Sequence, residues 1–375
     1  MSNRIKTIAF YLPQFHAIPE NDAAYGVGFT EWTNVKKAVP LFKNHNQPRT
    51  PFDNNYYNLL DIDVLREQVK LAKLYGIYGF CYYHYWFNGH RLLEKPLEMM
   101  LAHTEIDMPF CICWANENWT KRWDGGNNEV IVSQDYGDDK DIYDHVDYLC
   151  NYFLDDRYIK INGAPLLIIY KPEIIPNLNH VIEQIRMRGQ RNGFKKIMIA
   201  VQYPTFYLEG YSLDLFDYYI QFQPRFVQES ELISSSNGVV KIIKRLMLKI
   251  GKREEYFRIK NHFKNKNERK ELIHRDYDYD WSLIINYKVK DKKLIAGAFV
   301  DWDNTPRNRR GLVYDGTSPT KFAKYFKELV FKVIKEYSTD FIFINAWNEW
   351  GEGCYLEPDT KNEYAYLEAI RSALS

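Results

Sequence analysis

Eight short apolar runs recur along the chain, and this repetition constrains the fold more than any other feature. They occupy residues 6–16, 78–86, 109–118, 165–172, 196–204, 216–224, 294–304 and 341–350. Continuous apolar runs of this length are typical of strands buried on both faces, as in parallel sheets. Helical patterns lie between them, for example at 61–75 and from Ser318 and Pro319 onward. Eight strand-then-helix units predict an α/β fold, a (β/α)8 TIM barrel, in preference to a doubly wound sheet.

The ends of the runs support the barrel. Each run finishes in polar hydrogen-bonding residues, such as Gln14 and His16 after the first and Asp301 and Asp303 in the seventh. Barrel enzymes build their sites at the C-terminal ends of the strands. Polar loops alone would explain one or two such endings better than eight. We therefore expect the functional site at this end of the barrel.

The chain of 375 residues is long for a single core. We predict one barrel domain over residues 1–375, with an insertion at 225–290 that is too long for one crossover helix. Within the insertion, residues 239–251 have the pattern of a basic amphipathic helix. Such a helix can make peripheral contact with an anionic membrane surface. The same pattern is more often a solvated helix docked on its own protein.

Charge and cysteine content exclude several classes of partner and location. The formal net charge is +1, so we predict no nucleic-acid partner. The five cysteines form no CxxC motif and are expected to be reduced, buried thiols. The N-terminus lacks a secretory apolar region, and no apolar run approaches the roughly 18 residues that span a bilayer. We expect a cytoplasmic protein, membrane-associated only through 239–251.

The stretch AWNEWGEG at 346–353 places two carboxylates three residues apart after the last run. Gly351 and Gly353 allow a tight turn that returns Glu352 toward Glu349. Chemistry at a glycosidic bond needs one carboxyl group that exchanges a proton with the bridging oxygen and a second that acts on the anomeric side. We predict Glu349 and Glu352 to be a catalytic pair. The alternative is that both are solvated loop charges.

Tryptophans flank the two acids. An apolar wall formed by Trp347 and Trp350 would raise the pKa of a glutamate and stack on a sugar ring. Aromatic residues make up 16% of the chain, including 30 tyrosines, which suits a glycan site although most rings must pack the core. In the alternative interpretation, the two tryptophans cap the barrel.

Further substrate-binding candidates are polar and aromatic side chains near the ends of the runs and in the first loop. They are His16, Glu31, Trp32, His84, Trp86, Trp114, Asn116, Glu117, Asn118, Trp119, Gln202, Gln223, Asp303, Asn304, Asn348 and Tyr355. Arg307 could clamp a phosphate or carboxylate of a donor, or form a salt bridge with Asp303. The histidines and acids lack metal-ligand spacing, so we predict no metal. No Walker A or Rossmann fingerprint occurs, and we predict no cofactor.

Six ordered motifs between residues 8 and 360 support a family resemblance. They read AFYLPQFH, GFTEWTNV, FCYYHYWF, CWANENW, DWDNTPR and WNEWGEGCYLEPD. Together they resemble the WbsX glycosyltransferase-like family of surface-polysaccharide gene clusters, which is similar to glycoside hydrolase family 99, the endo-α-mannosidases. The resemblance implies a (β/α)8 barrel in which Glu349 is the base on a sugar 2-hydroxyl and Glu352 is the acid. The residues themselves equally permit a glycosyl-enzyme route.

Three functions remain open, each with an oligosaccharide or a sugar donor and acceptor as partner. The first is a transferase of O-antigen or capsular polysaccharide, and hence lipopolysaccharide, biosynthesis. The second is an endo-acting hydrolase of α-linked mannose-like glycans, and the third is a non-catalytic glycan-binding barrel. The missing export signal favours the first function. The absence of a familiar nucleotide-diphosphate site counts against it.

Overall fold

The computed structural model of the protein describes residues 5–121, 129–202, 213–235 and 271–375. Its centre is a closed barrel of eight parallel strands. The strands are β1 (Lys6–Tyr11), β2 (Ile77–Phe87), β3 (Phe110–Trp114), β4 (Ala164–Ile169), β5 (Met198–Gln202), β6 (Tyr218–Ile220), β7 (Leu294–Phe299) and β8 (Phe341–Asn345). Neighbours pair in sequence order, and β8 pairs with β1 to close the barrel. The predicted (β/α)8 barrel is confirmed.

Helices surround the barrel. The described ranges contain α1 (Pro19–Tyr25), α2 (Glu31–Lys37), α3 (Ile62–Leu74), α4 (Lys95–Ala102), α5 (Asp139–Phe153), α6 (Leu178–Arg191), α7 (Arg225–Ser235), α8 (Tyr277–Asn286), α9 (Pro319–Glu336) and α10 (Ala365–Leu374). The helix predicted at 61–75 is α3. The helix predicted to open at Ser318 is α9, where the Ser318 hydroxyl accepts a hydrogen bond from the Lys321 backbone N–H at 3.3 Å.

Short elements occupy the loops. The short strands are His90–Leu92, Trp119–Thr120, Val130–Val132, Lys160–Ile161, Ile273–Asp276, Leu312–Asp315, Asn348–Glu349 and Cys354–Tyr355. Single turns of 3-10 helix lie at Phe52–Asn54, Pro172–Ile174, Leu213–Leu215 and Trp350–Glu352. The last of these turns carries part of the WNEWGEG motif directly above β8.

The barrel strands bury both faces, which explains their continuous apolar runs. On the inner face, Phe10 of β1 stacks on Tyr83 of β2 at 5.6 Å and meets Phe222 from the far side at 5.3 Å. On the outer face, the Tyr11 hydroxyl donates to Gln68 of α3 at 2.6 Å. Adjacent residues of one strand therefore serve two different layers.

The described end of the predicted insertion packs on the barrel. Trp281 of α8 is completely buried. Its ring stacks on Phe299 of β7 and on Tyr325 of α9, with both centroid distances 5.5 Å. The predicted basic helix at 239–251 lies outside the described residues, so its membrane contact stays a prediction. In the ranges that the structure describes, no helix has the length and apolar character to cross a membrane.

The contact between β6 and β7 gives a test of the barrel packing. A Cβ added to Gly297 would lie 1.8 Å from the backbone oxygen of Gln221. Gly297→Ala should therefore lower the free energy of unfolding by about 3 kcal/mol or more. Gly163→Ala is the control, because its added Cβ meets nothing within 4 Å and only its positive φ of 79° opposes it, at a cost of about 1–2 kcal/mol. Equal losses in urea unfolding would contradict this packing.

Candidate active site

One arginine joins three glutamates at the C-terminal end of the barrel. The Arg307 guanidinium donates from Nε to Glu31 at 2.8 Å, from Nη1 to Glu352 at 2.7 Å and from Nη2 to Glu349 at 3.2 Å. Arg307 follows β7, Glu31 opens α2, and the other two glutamates lie in the turn after β8. The barrel thus brings four charged groups from three distant segments to one point.

The three carboxylates differ in their access to solvent. The Glu31 carboxylate is fully buried, and the Glu349 side chain is 9% exposed. The Glu352 side chain is 25% exposed. A ligand entering from the mouth of the barrel would therefore meet Glu352 before Glu349.

Burial and mutual repulsion change the acidity of this cluster. Burial is the main cause that raises the pKa of Glu349 to about 8; the charge of Arg307 opposes it, and Glu352 and Glu31 add to it. Burial also raises the pKa of Glu352. For Arg307, burial alone would lower the pKa, but the three carboxylates hold it well above the ordinary value. At neutral pH the guanidinium therefore stays charged while Glu349 is mostly protonated.

Two glycines give the turn its shape. A Cβ at Gly351 would lie 1.7 Å from Glu31 Oε1 and 2.8 Å from Arg307 Nε, so only glycine lets Glu31 approach this closely. Gly353 adopts a left-handed conformation with φ of 62°, which disfavours other residues. The tight turn predicted from these glycines is present, and its first glycine also makes room for a third acid.

Buried hydrogen bonds hold the turn in place. Asn348 accepts from the backbone N–H of Leu12 at 2.7 Å and donates to its carbonyl at 3.0 Å, which ties the turn to the end of β1. Trp350 Nε1 donates to Glu357 at 2.6 Å, and the Tyr57 hydroxyl donates to the same carboxylate at 2.8 Å. Burial raises the pKa of Glu357 to about 7.

The aromatic residues predicted to stack on sugar lie beneath the site instead. Trp347 and Trp350 are 0% and 1% exposed. Trp350 stacks on Tyr355 with a centroid distance of 3.7 Å and packs against Trp32 at 5.4 Å. All four are buried, so they leave no ring face for a ligand. They support the turn from below, as in the alternative in which tryptophans cap the barrel.

Three further candidates face the helix layer rather than the barrel interior. His84 Nε2 lies 3.0 Å from His145 Nε2 of α5. Trp86 stacks on His145 with a centroid distance of 4.7 Å and donates to Asp141 at 2.8 Å. Trp114 meets the same imidazole edge-to-face at 4.8 Å. The prediction that His84, Trp86 and Trp114 contact substrate is therefore not supported, because their strand positions point outward.

The alternate residues of β2 face inward. Gln202 donates to the Tyr83 hydroxyl at 3.2 Å, and Gln14 donates to the Tyr85 hydroxyl at 2.9 Å. Burial raises the pKa of both tyrosines, and the charge of Glu349 adds to the effect. Trp119 packs edge-to-face on Tyr85 at 5.0 Å. Tyr83 and Tyr85, which are not among the predicted site residues, therefore lie near Glu349.

Four amide candidates are used to hold loops. In each, the side-chain carbonyl accepts a hydrogen bond from the backbone N–H of a neighbouring segment. The pairs are Asn116 with Lys171 at 2.8 Å, Asn118 with Gln134 at 2.6 Å, Gln223 with Val227 at 3.4 Å and Asn304 with Leu312 at 2.7 Å. These contacts give the amides a structural role, and their hydroxyl binding stays a prediction.

Arg307 and Asp303 belong to separate groups. Asp303 accepts from Gln47 at 2.7 Å and from the Thr305 hydroxyl at 2.5 Å, and it lies 2.9 Å from His45 Nε2. Burial opposes ionisation of Asp303, yet these contacts and the charge of Arg49 hold its pKa well below the usual range. The salt bridge considered between Arg307 and Asp303 is therefore replaced by the contacts of Arg307 with the glutamates.

The rim of the site carries a second ion pair. Glu117 pairs with Lys171, and their side chains are 30% and 18% exposed. The Glu117 charge contributes to the raised pKa of Glu352, so it lies near the catalytic candidates. His16 is 2% exposed and contacts the Ala17 carbonyl at 3.2 Å, and burial lowers its pKa. Among the residues described, no group of His, Cys, Asp or Glu is arranged to hold a metal ion.

The fold is shared with glycoside hydrolases. The structure aligns with a GH99 endo-alpha-mannosidase from Bacteroides thetaiotaomicron with a TM-score of 0.53 and 13% identity, over 98% of this chain and 95% of that one. It aligns with a protein described as "Glycoside hydrolase-like protein" with a TM-score of 0.56 and 12% identity, over 99% and 94%. These likenesses show that the chain shares the (β/α)8 fold of these proteins.

Sequence comparison gives the family. The profile described as "Glycosyltransferase WbsX" matches residues 7–370, and the chain belongs to this family. Two proteins described as "Uncharacterized protein WxcX", from Xanthomonas campestris pv. campestris strains B100 and ATCC 33913, are 35% identical over 98% of this chain. The match covers 49% of each, so the chain spans about half the length of these relatives. Family and fold together support a carbohydrate-active enzyme.

The raised pKa of Glu349 predicts how stability depends on pH. The folded chain holds this proton more tightly than the unfolded chain, because the pKa rises from 4.5 to about 8. The stability that this group contributes is present at low pH and is lost as the pH rises between those two values. Glu349→Gln cannot ionise, so its unfolding temperature should fall less than that of the wild type between about pH 5 and about pH 9.

Glu67→Gln is the matched control for this experiment. Glu67 is 72% exposed on α3, and its variant should follow the wild-type curve. Differential scanning calorimetry across the pH series measures both variants. Parallel curves for the wild type and Glu349→Gln would contradict the burial of this acid.

Proposed function

We propose that the chain catalyses sugar transfer at an α-glycosidic centre, as a glycosyltransferase-like enzyme of O-antigen or capsular polysaccharide assembly. Glu349 and Glu352 are its catalytic pair. The observation that carries this proposal is that both carboxylates bind one guanidinium at the end of β8, where barrel enzymes place their reacting groups. Two carboxyl groups at one point are what chemistry at a glycosidic carbon requires.

The different exposure of the two glutamates supports a division of roles. Glu352 is the more exposed, and its raised pKa lets it keep a proton to higher pH, which suits the acid that meets a departing sugar oxygen. Glu349 lies deeper, and its raised pKa makes its ionised form a stronger base than an ordinary carboxylate. The family resemblance implies the same division. Burial keeps the proton on Glu349 in the free enzyme near neutral pH, so the reactive form, with Glu349 ionised and Glu352 protonated, is the minor form of the pair.

The first step breaks the bond between the anomeric carbon and the leaving oxygen. Glu352 gives its proton to that oxygen as the bond breaks. Glu349 takes the proton of the neighbouring 2-hydroxyl, and O2 forms a bond to the anomeric carbon with its own electron pair. At the end of this step Glu349 is protonated and Glu352 is ionised.

The second step transfers the sugar to an acceptor. The ionised Glu352 takes the proton of an acceptor hydroxyl while the acceptor oxygen bonds to the anomeric carbon. The bond from that carbon to O2 breaks, and Glu349 returns its proton to O2. Both glutamates then have their starting protonation states, and no external oxidant or reductant is needed.

A hydrolase is the second candidate function. The fold likeness to an enzyme described as an endo-alpha-mannosidase favours it, because the same two acids would serve if water were the acceptor. Transfer and hydrolysis differ only in the acceptor, so one experiment that identifies the products separates them. A non-catalytic glycan-binding barrel would bind sugars and give no product.

Substitution of either glutamate should abolish turnover. Glu349→Gln and Glu352→Gln each remove a proton-transfer group, so we expect kcat to fall by about 10²–10⁴ while sugar binding persists. A panel of α-linked oligosaccharides and nucleotide sugars, with products identified by mass spectrometry, provides the assay.

Glu67→Gln controls for the loss of a carboxylate as such and should leave activity unchanged, since Glu67 is exposed on α3. Full activity in both catalytic variants would contradict the assignment. Saturable glycan binding by the wild type with no product from any substrate would favour the binding barrel.

The pH dependence of activity should reflect the proton that the two acids share. The reaction needs Glu349 ionised and Glu352 protonated, so the active pair carries one proton. Burial raises the pKa of Glu349 to about 8, and above this value the pair loses that proton. We therefore expect kcat/KM of the free enzyme to fall as the pH rises through about 8. A pH–rate profile measures this fall, and a falling limb centred below about pH 6 would contradict it.

A further inference from the structure

The site holds one more buried acid than a two-carboxylate mechanism uses. Glu31 is completely buried, and Oε1 accepts a hydrogen bond from Arg307 Nε at 2.8 Å. Its second oxygen, Oε2, is also buried and has no hydrogen-bond donor among the described residues. An isolated buried carboxylate is costly, so the charge of Glu31 depends on its contact with Arg307.

The contact between Glu31 and Arg307 fixes the direction of the guanidinium. Its nitrogen atoms lie in one plane with a fixed fork geometry. When Nε is held by Glu31, the two Nη atoms point toward Glu352 and Glu349. Gly351 lies where a side chain would displace the Glu31 carboxylate, since an added Cβ would be 1.7 Å from Oε1. Three segments of the chain are thus shaped around this one contact.

We propose that Glu31 and Arg307 are positioning residues that set the protonation of the Glu349/Glu352 pair, a role that rests on the proposed function. Arg307 favours the ionised form of both glutamates because its positive charge touches each of them. Glu31 holds Arg307 in place and, through its own negative charge, favours their protonated forms. The pair therefore retains a proton that two carboxylates sharing an arginine would otherwise lose.

This role differs from the donor clamp predicted for Arg307 and from the substrate contact predicted for Glu31. All three kinds of nitrogen on Arg307 already donate to carboxylates, and three acids outnumber the one cation. Other titratable groups also face the acid pair from the surrounding elements. They are Tyr83 and Tyr85 of β2, Glu117 after β3, Tyr170 after β4, and Cys354 after the turn that follows β8.

The test is a direct titration of the two glutamates that needs no substrate. The protein is labelled with [δ-13C]glutamate, and the signals of Glu349 and Glu352 are assigned by their loss in Glu349→Gln and Glu352→Gln. Glu31→Gln keeps an oxygen that can accept from Arg307 Nε but removes the charge. We expect both titration midpoints to fall by at least about half a pH unit in this variant.

Two more variants separate charge from geometry. Glu31→Asp keeps the charge, so its midpoints should stay closer to the wild type than those of Glu31→Gln. Arg307→Gln removes the cation and should move the midpoints in the opposite direction, upward. If Arg307→Gln fails to fold, the difference in titration midpoints between Glu31→Gln and Glu31→Asp still tests the proposal. Glu67→Gln, on the exposed face of α3, should leave both midpoints unchanged.

Midpoints that do not move in Glu31→Gln, or that rise, would overturn the positioning role. A residue that only accepts a hydrogen bond would give this result, because glutamine accepts it too. The outcome is independent of the catalytic assignment. Loss of activity without a titration shift would refute the positioning role alone, whereas full activity in Glu349→Gln and Glu352→Gln would refute the proposed function.

Discussion

The contact of one guanidinium with three carboxylates is the interaction on which the site depends. Moving a carboxylate out of water is costly unless a charge and hydrogen bonds compensate it. Arg307 provides both, because each of its nitrogen positions donates to a different glutamate. The arrangement requires the segments after β7 and β8 and the start of α2 to meet at one point. The charge balance of the site therefore depends on closure of the barrel.

The architecture was largely readable from the sequence. Six of the eight barrel strands lie within the predicted apolar runs, β2 extends past its run by one residue at each end and β4 by one residue at its start, because a strand buried on both faces needs apolar residues without interruption. The same property hides the direction of each side chain. In β2, the continuous run gives no alternation to separate Tyr83 and Tyr85, which face the barrel interior, from His84 and Trp86, which face α5. To assign these directions, one residue of the run must be known to face the barrel interior, and that is known only from the structure.

The candidate site was predictable where the motif itself carries chemistry, and less so where several segments meet. Glu349 and Glu352 could be selected because acids beside glycines at the end of a buried strand are unusual. The role of the flanking tryptophans could not be predicted in the same way, because a tryptophan that stacks on a sugar and one that packs against a turn look the same in the sequence. Glu357 was missed because its burial is created by Trp350 and Tyr57, which are distant from one another in sequence.

The missing side chain at Gly351 has a consequence for how this barrel can vary. The turn after β8 and the start of α2 have complementary shapes, because the carboxylate of Glu31 fills the space that any larger residue at 351 would take. The two segments therefore form one inseparable unit, although more than 300 positions lie between them. Transplanting either segment alone into a related barrel would bring a steric conflict or an unfilled hollow, and only a joint exchange would preserve the fit.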